Sequence, residues 1–334
     1  MQGRLELLTL RAPSLDGNPL GDPAERPLHL YLPPGHDGAR ERFPVVYFLH
    51  GFFGTADGWV ARSPFQPTVP ERLDALVAAG VIPPVVAAFP DGFTALGGSQ
   101  WVNSEASGRY EDYLARDVVA AVDARARTVP APEARALVGK SSGGYGALSV
   151  ARHRPDVFGH LAAHSADAAF EYCYLPDLPR AAAALEGTDP ASWHAEFLRR
   201  ARETKPRSDD HAVLTVLAMA AAYSPRAGQP LGLELPFEPG TARLRTEVWE
   251  RWLAHDPVRF APRSLEAFRR LGSVFVDCGR RDEYQLRWGA RQLVETLRQG
   301  GVAVVHEEFD DGHRGTSYRY DRSLAFLAPR LARG

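Results

Sequence analysis

The sequence predicts an α/β fold, a mostly parallel central sheet flanked by helices and interrupted by one helical insertion. Three observations carry this. Short, wholly apolar runs end abruptly at turn residues, as buried parallel strands do: residues 45–49 before His50-Gly51, and 85–89 before Pro90-Asp91-Gly92. Helical patterns alternate with these runs over most of the chain. From about residue 171 to 257 the alternation stops, and afterwards it resumes.

In chain order, 5–10 and 28–32 read as strands joined by the turn-rich stretch 17–23. The strands at 45–49 and 85–89 follow. Residues 110–128 read as a helix with Leu114, Val118, Val119 and Val122 on one stripe. Ala136-Leu137-Val138 then runs into Gly139-Lys140-Ser141-Ser142-Gly143-Gly144 and a helix. Residues 158–163 form a strand ending at His164-Ser165-Ala166-Asp167.

The irregular stretch holds helix-like segments around 193–197, 212–222 and 248–253, separated by proline-rich connections. Trp193 and Phe197, and Trp249 and Trp252, have the spacing that shares a helix face. The alternation returns with a strand at 274–276, a helix over 283–299, a strand over 302–309 and a last helix after Thr316. The expected organisation is therefore a core of 1–170 and 258–334 with a helical cap at 171–257.

Composition narrows the function. With 45% hydrophobic and 24% charged residues and a net charge of -2, the chain looks like a globular enzyme. That balance gives no reason to expect nucleic acid or an anionic membrane as partner. No run of about 18 apolar residues suggests a membrane span. Two distant cysteines, Cys173 and Cys278, read as free thiols of a cytoplasmic protein.

The stretch Gly139 to Gly143 carries the chemistry. A G-x-S-x-G between a strand and a helix is a turn so tight that the serine stands at its apex, and β-carbons at 139 or 143 would collide with neighbouring backbone. A serine hydroxyl needs a base, and the base needs an orienting acid. Asp282 and His313 supply them on loops after the last two strands, giving the order serine, acid, histidine. Asp167, on the loop after the strand that follows the elbow, is the rival acid. Glu283 is expected to open the next helix. The oxyanion hole would take backbone N–H groups from Ser142 and from Phe52, in His50-Gly51-Phe52-Phe53-Gly54. Phe53, Trp101, His164, Phe170 and Tyr172 are candidates to line the substrate pocket. No H-E-x-x-H-like cluster points to a metal.

Taken together, the elbow, the H-G-x-x-G loop, Asp277-Cys278-Gly279-Arg280-Arg281-Asp282-Glu283-Tyr284 and Asp311-Gly312-His313-Arg314-Gly315 resemble the putative-esterase family of α/β-hydrolases. That family includes esterase D, feruloyl and enterochelin esterases and the antigen 85 mycolyltransferases. The resemblance spans the chain outside about 171–257. It implies an α/β-hydrolase fold, a Ser141–His313–Asp282 triad, Phe52 and Ser142 as oxyanion donors, no cofactor, and a small to medium ester substrate with an aromatic acyl group or a sugar. Acyl transfer of the antigen 85 type is the alternative, and a non-catalytic binding protein a weaker one. A homo-oligomer stays open. Lys140 departs from the histidine or other residue often found before the nucleophile, and reads first as a packing residue.

Overall fold

The computed structural model describes residues 1–333. Eight strands make one sheet: β1 (Arg4–Arg11), β2 (Glu25–Leu32), β3 (Val45–Leu49), β4 (Val86–Pro90), β7 (Arg135–Lys140), β8 (His160–His164), β9 (Ser273–Gly279) and β10 (Val304–Phe309). Between them a small hairpin pairs β5 (Asn103–Ser104) with β6 (Gly108–Arg109). The sheet order is β1-β2-β4-β3-β7-β8-β9-β10. β1 to β2 and β2 to β4 are antiparallel, and every other neighbour pair is parallel.

The apolar runs are buried on both sides, which explains why they show no polar alternation. Along β3, Val45, Tyr47 and Leu49 enter one core while Val46 and Phe48 enter the other. The helices Val69–Ala78 and Arg319–Leu327 cover the second core. Thr68 and Glu71 close a capping box at the start of Val69–Ala78. On the opposite face lie Ser142–His153, Leu286–Gln299 and the chain from Tyr110 to Arg125. That last stretch is one turn of α-helix, a π-helical segment Tyr113–Val118, and the helix Val119–Arg125.

Residues 171–257 are helical, with Leu178–Ala184, Pro190–Glu203, Asp210–Tyr223 and Thr246–Ala254 as the longer elements. Asp210–Tyr223 is apolar around its whole circumference and almost entirely buried, as an interior helix must be. Its residues join the same apolar cluster as the sheet. Trp193 stacks on Phe197 at 5.7 Å between ring centroids, and Trp249 meets Trp252 at 5.6 Å. Buried Glu234 gathers Arg226 and Arg245, each at 2.6 Å, and also Arg251. Among the described residues no helix is long and apolar enough to cross a membrane.

Candidate active site

Central strand β7 delivers Ser141 at its C-terminal end. Ser141 adopts φ 58° and ψ -128°, a conformation rare for a residue with a side chain. The helix Ser142–His153 starts immediately after it, with the Tyr145 amide donating to the Ser141 carbonyl. Two glycines make this turn possible. A β-carbon on Gly139 would lie 2.1 Å from the Gly143 carbonyl oxygen, and one on Gly143 would lie 2.0 Å from that of Leu49.

The loop after β3 approaches the elbow from the neighbouring strand. Its Phe53 amide donates to the Gly97 carbonyl and its Gly54 amide to that of Gly51, both at 2.9 Å. The Phe52 amide therefore follows Gly51 and precedes two committed donors. Ser142, as the first residue of its helix, has an N–H with no intrahelical acceptor. His50 braces this loop. Its Nδ1 meets the Gly51 carbonyl at 2.9 Å and its Nε2 accepts from the Gly92 amide at 2.8 Å, which together fix a neutral tautomer. Burial favours that neutral form by pushing the His50 pKa down.

His313 and Asp282 meet across two loops. His313 Nδ1 lies 2.7 Å from Asp282 Oδ2, with both side chains nearly enclosed. The other Asp282 oxygen accepts from the Tyr284 amide at 3.0 Å. Glu283 does not open a helix, because the helix begins only at Leu286. Its carboxylate instead accepts the His313 backbone N–H at 2.7 Å, and this bond holds its pKa below the usual range. The ring of Tyr284 packs edge-on against His313 at 4.9 Å.

Ser141, Ser142, Phe52, Phe53 and His313 line one cavity of about 440 Å³. Within it the Ser141 hydroxyl points to Asp167 Oδ1 at 3.4 Å. Asp167, the rival acid, thus contacts the serine side, while the carboxylate on the His313 ring is that of Asp282. Lys140 also lines the cavity, and burial lowers its pKa against the attraction of Asp282, Asp277 and Glu283.

Four pocket expectations are corrected. Trp101 is buried beneath the loop after β3, donating to the His50 carbonyl at 3.1 Å and filling the space opened by Gly92 and Gly146. His164 points into the opposite core, between Asp277 and Ser323. Phe170 is fully buried, stacked on Tyr223 at 5.3 Å. Tyr172 faces a separate surface groove beside Glu171 and Arg259. What the sequence reading missed comes largely from the helical stretch: Asp177, His211 and Met219 line the cavity. His211 sets its ring edge-on to Phe52 and Phe53, at 5.9 and 5.3 Å. No spacing in the sequence links residue 211 to residue 52. The link comes from the packing of Asp210–Tyr223.

Comparison with known proteins identifies the family and the fold. The family model described as Putative esterase matches residues 23–321. An endo-1,4-beta-xylanase/feruloyl esterase of Xylanibacter ruminicola is 27% identical over 136 residues, which are 40% of this chain and only 18% of that longer protein. A solved ferulic acid esterase superposes with a TM-score of 0.64 at 19% identity, covering 99% of each chain. An S-formylglutathione hydrolase from Agrobacterium tumefaciens gives 0.58 at 16% identity, covering 99% of this chain and 96% of its own. These structures share the α/β-hydrolase fold with it. The chain belongs to this putative-esterase family.

Proposed function

We propose that the protein hydrolyses a small to medium ester through an acyl-Ser141 intermediate, with His313 as base and Asp282 as its orienting acid. The observation that carries this is the 2.7 Å His313–Asp282 contact opening onto the same cavity as the strained Ser141. Rotation about the Ser141 Cα–Cβ bond would turn Oγ from Asp167 toward His313. Oγ then bonds to the ester carbon as its proton passes to His313 Nε2. Collapse of the tetrahedral species expels the alcohol, which takes that proton. Water repeats the sequence and releases the acid. The Phe52 and Ser142 amides would hold the oxyanion, since fixed donors aimed at developing charge lower the barrier most.

The stretch 171–257 acts in this reading as a cap that shapes the substrate rather than supplying chemistry. Its support is that Tyr174, Asp177, His211 and Met219 reach the cavity, whereas the acid and base come from loops after β9 and β10. Rapid mixing with an excess of a p-nitrophenyl ester tests the scheme. A burst of one p-nitrophenol per chain, with the acyl mass on Ser141, is expected. Turnover without any acylated serine contradicts it.

A further inference from the structure

Asp167 is a polar group of this cavity for which acyl chemistry at Ser141 has no use. It lies on the loop after β8, held between Ser165 and Ala169, both at positive φ. The residue is 6% exposed and still lines the cavity. The two oxygens are unequally served. Oδ2 accepts from the Tyr174 hydroxyl at 2.8 Å, the Ser142 hydroxyl at 2.9 Å and the Gln100 amide at 3.3 Å. Oδ1 meets the Ser141 hydroxyl at a long 3.4 Å. A carboxylate has about four acceptor sites, two on each oxygen.

Turning Oγ toward His313 and then acylating it takes away the one proton aimed at Oδ1. Once Ser141 Oγ carries an acyl group it has no hydrogen to donate, and a buried oxygen is left facing the substrate. Three other groups surround the reacting carbon. In the proposed scheme the oxyanion goes to the Phe52 and Ser142 amides and the leaving oxygen to His313. The acyl chain is what remains to meet Asp167. An apolar chain there would leave the carboxylate oxygen unpaired and close to the developing oxyanion, which is unfavourable on both counts. A hydrogen-bond donor on the chain removes both costs. The cap side of the cavity is polar as well, with Asp177 and His211 both lining it.

We propose that Asp167 is a specificity-determining residue, accepting a hydrogen bond from a hydroxyl or ammonium on the acyl carbon next to the ester carbonyl. The favoured substrates are then esters of 2-hydroxy or 2-amino acids. This deepens the serine-esterase reading and rests on it. A site built around a buried acceptor discriminates strongly against a substrate that lacks the donor.

The test compares p-nitrophenyl esters of butyric, 2-hydroxybutyric, 2-aminobutyric and 2-methoxybutyric acid. Each kcat/KM is divided by that ester's hydroxide-catalysed rate and expressed per site titrated with a small fluorophosphonate. In the wild-type protein at least one donor-bearing ester should exceed both the plain and the methoxy ester by about tenfold or more. A larger gain for the amine marks an ionised Asp167, and a larger gain for the hydroxyl a neutral one. Asp167→Ala should shrink the preference to within about twofold. The wild-type comparison of hydroxyl with methoxy decides the matter even if that variant fails to fold. Donor esters no faster than the methoxy ester, or a preference that survives Asp167→Ala, overturn the proposal. Failure of the serine-esterase reading looks different: no titratable site and no turnover of any of the four.

Discussion

Two Ser–His–Asp sets can be compared in this molecule. The first is the proposed one, Ser141, His313 and Asp282, on loops at the C-terminal ends of β7, β9 and β10. In the second, His164 Nδ1 lies 2.8 Å from Asp277 and its Nε2 lies 2.9 Å from the Ser323 hydroxyl. In the second set the serine hydroxyl already meets the histidine, whereas Ser141 points to Asp167. The surroundings of the second set forbid chemistry. All three side chains are buried, and the His164 ring packs edge-on to Tyr320 at 5.0 Å. Ser323 sits inside the helix Arg319–Leu327, where backbone amides are already bonded, and its hydroxyl also faces the Tyr320 carbonyl at 3.2 Å. Asp277 is committed to Arg319 at 2.8 Å as well. The comparison teaches that the pattern alone confers nothing. A nucleophile needs a strained, exposed apex, free amides beside it and room for a substrate.

The sharpest way to break this comparison is to remove each serine. Ser141→Ala should cost on the order of 10⁴-fold or more in kcat on an activated ester, with stability little changed. Ser323→Ala should leave kcat per titrated site within about threefold while lowering unfolding free energy by about 1–3 kcal/mol, because His164 loses a buried partner. Denaturant unfolding alongside kinetics separates the two. A large kcat loss in Ser323→Ala would erase the distinction.

Removing the acids repeats the contrast. Asp282→Asn should lower kcat by up to about 10⁴-fold, since the amide favours the wrong histidine tautomer. Asp277→Asn should act on stability, by roughly 3–5 kcal/mol, because it leaves Arg319 and His164 buried beside an uncharged group. The elbow itself offers a third contrast. Gly143→Ala forces a methyl against the Leu49 carbonyl and should cost about 1–3 kcal/mol. It should also slow fluorophosphonate labelling, whereas Gly38→Ala, where a β-carbon meets open space, should leave labelling unchanged.

A smaller effect comes from a histidine outside both sets. Burial lowers the His255 pKa to about 4, from an ordinary value near 6.5. Its stabilising contribution is therefore present above about pH 6.5 and is lost as pH falls toward about 4, because the unfolded chain binds the proton first. His255→Gln should flatten the fall in melting temperature across that window. An unchanged slope would show that other groups govern acid sensitivity.

Much of the fold was legible because parallel strands buried on both faces announce themselves as unbroken apolar runs. The elbow was legible because Gly139 and Gly143 are demanded by contacts near 2 Å. The order of Ser141, Asp282 and His313 could be read from the strands each follows. Sidedness could not. His164 and Asp167 are three residues apart, yet one enters the far core and the other the cavity, and only the path of that loop separates them. Trp101 and Phe170 looked like pocket aromatics because they lie on loops near the elbow. Both are drawn inward, Trp101 into gaps left by Gly92 and Gly146, and Phe170 into a ring cluster with Tyr174 and Tyr223. Which residues of the helix Asp210–Tyr223 face the cavity was hidden for a related reason: its register is set by packing, not by local pattern.

Mass spectrometry after treatment with a small fluorophosphonate tests the central claim most directly. Wild type and Ser323→Ala should each gain one adduct, mapped to Ser141, and Ser141→Ala should gain none. An adduct on Ser323, or an unlabelled wild-type protein that still hydrolyses esters, would contradict the account.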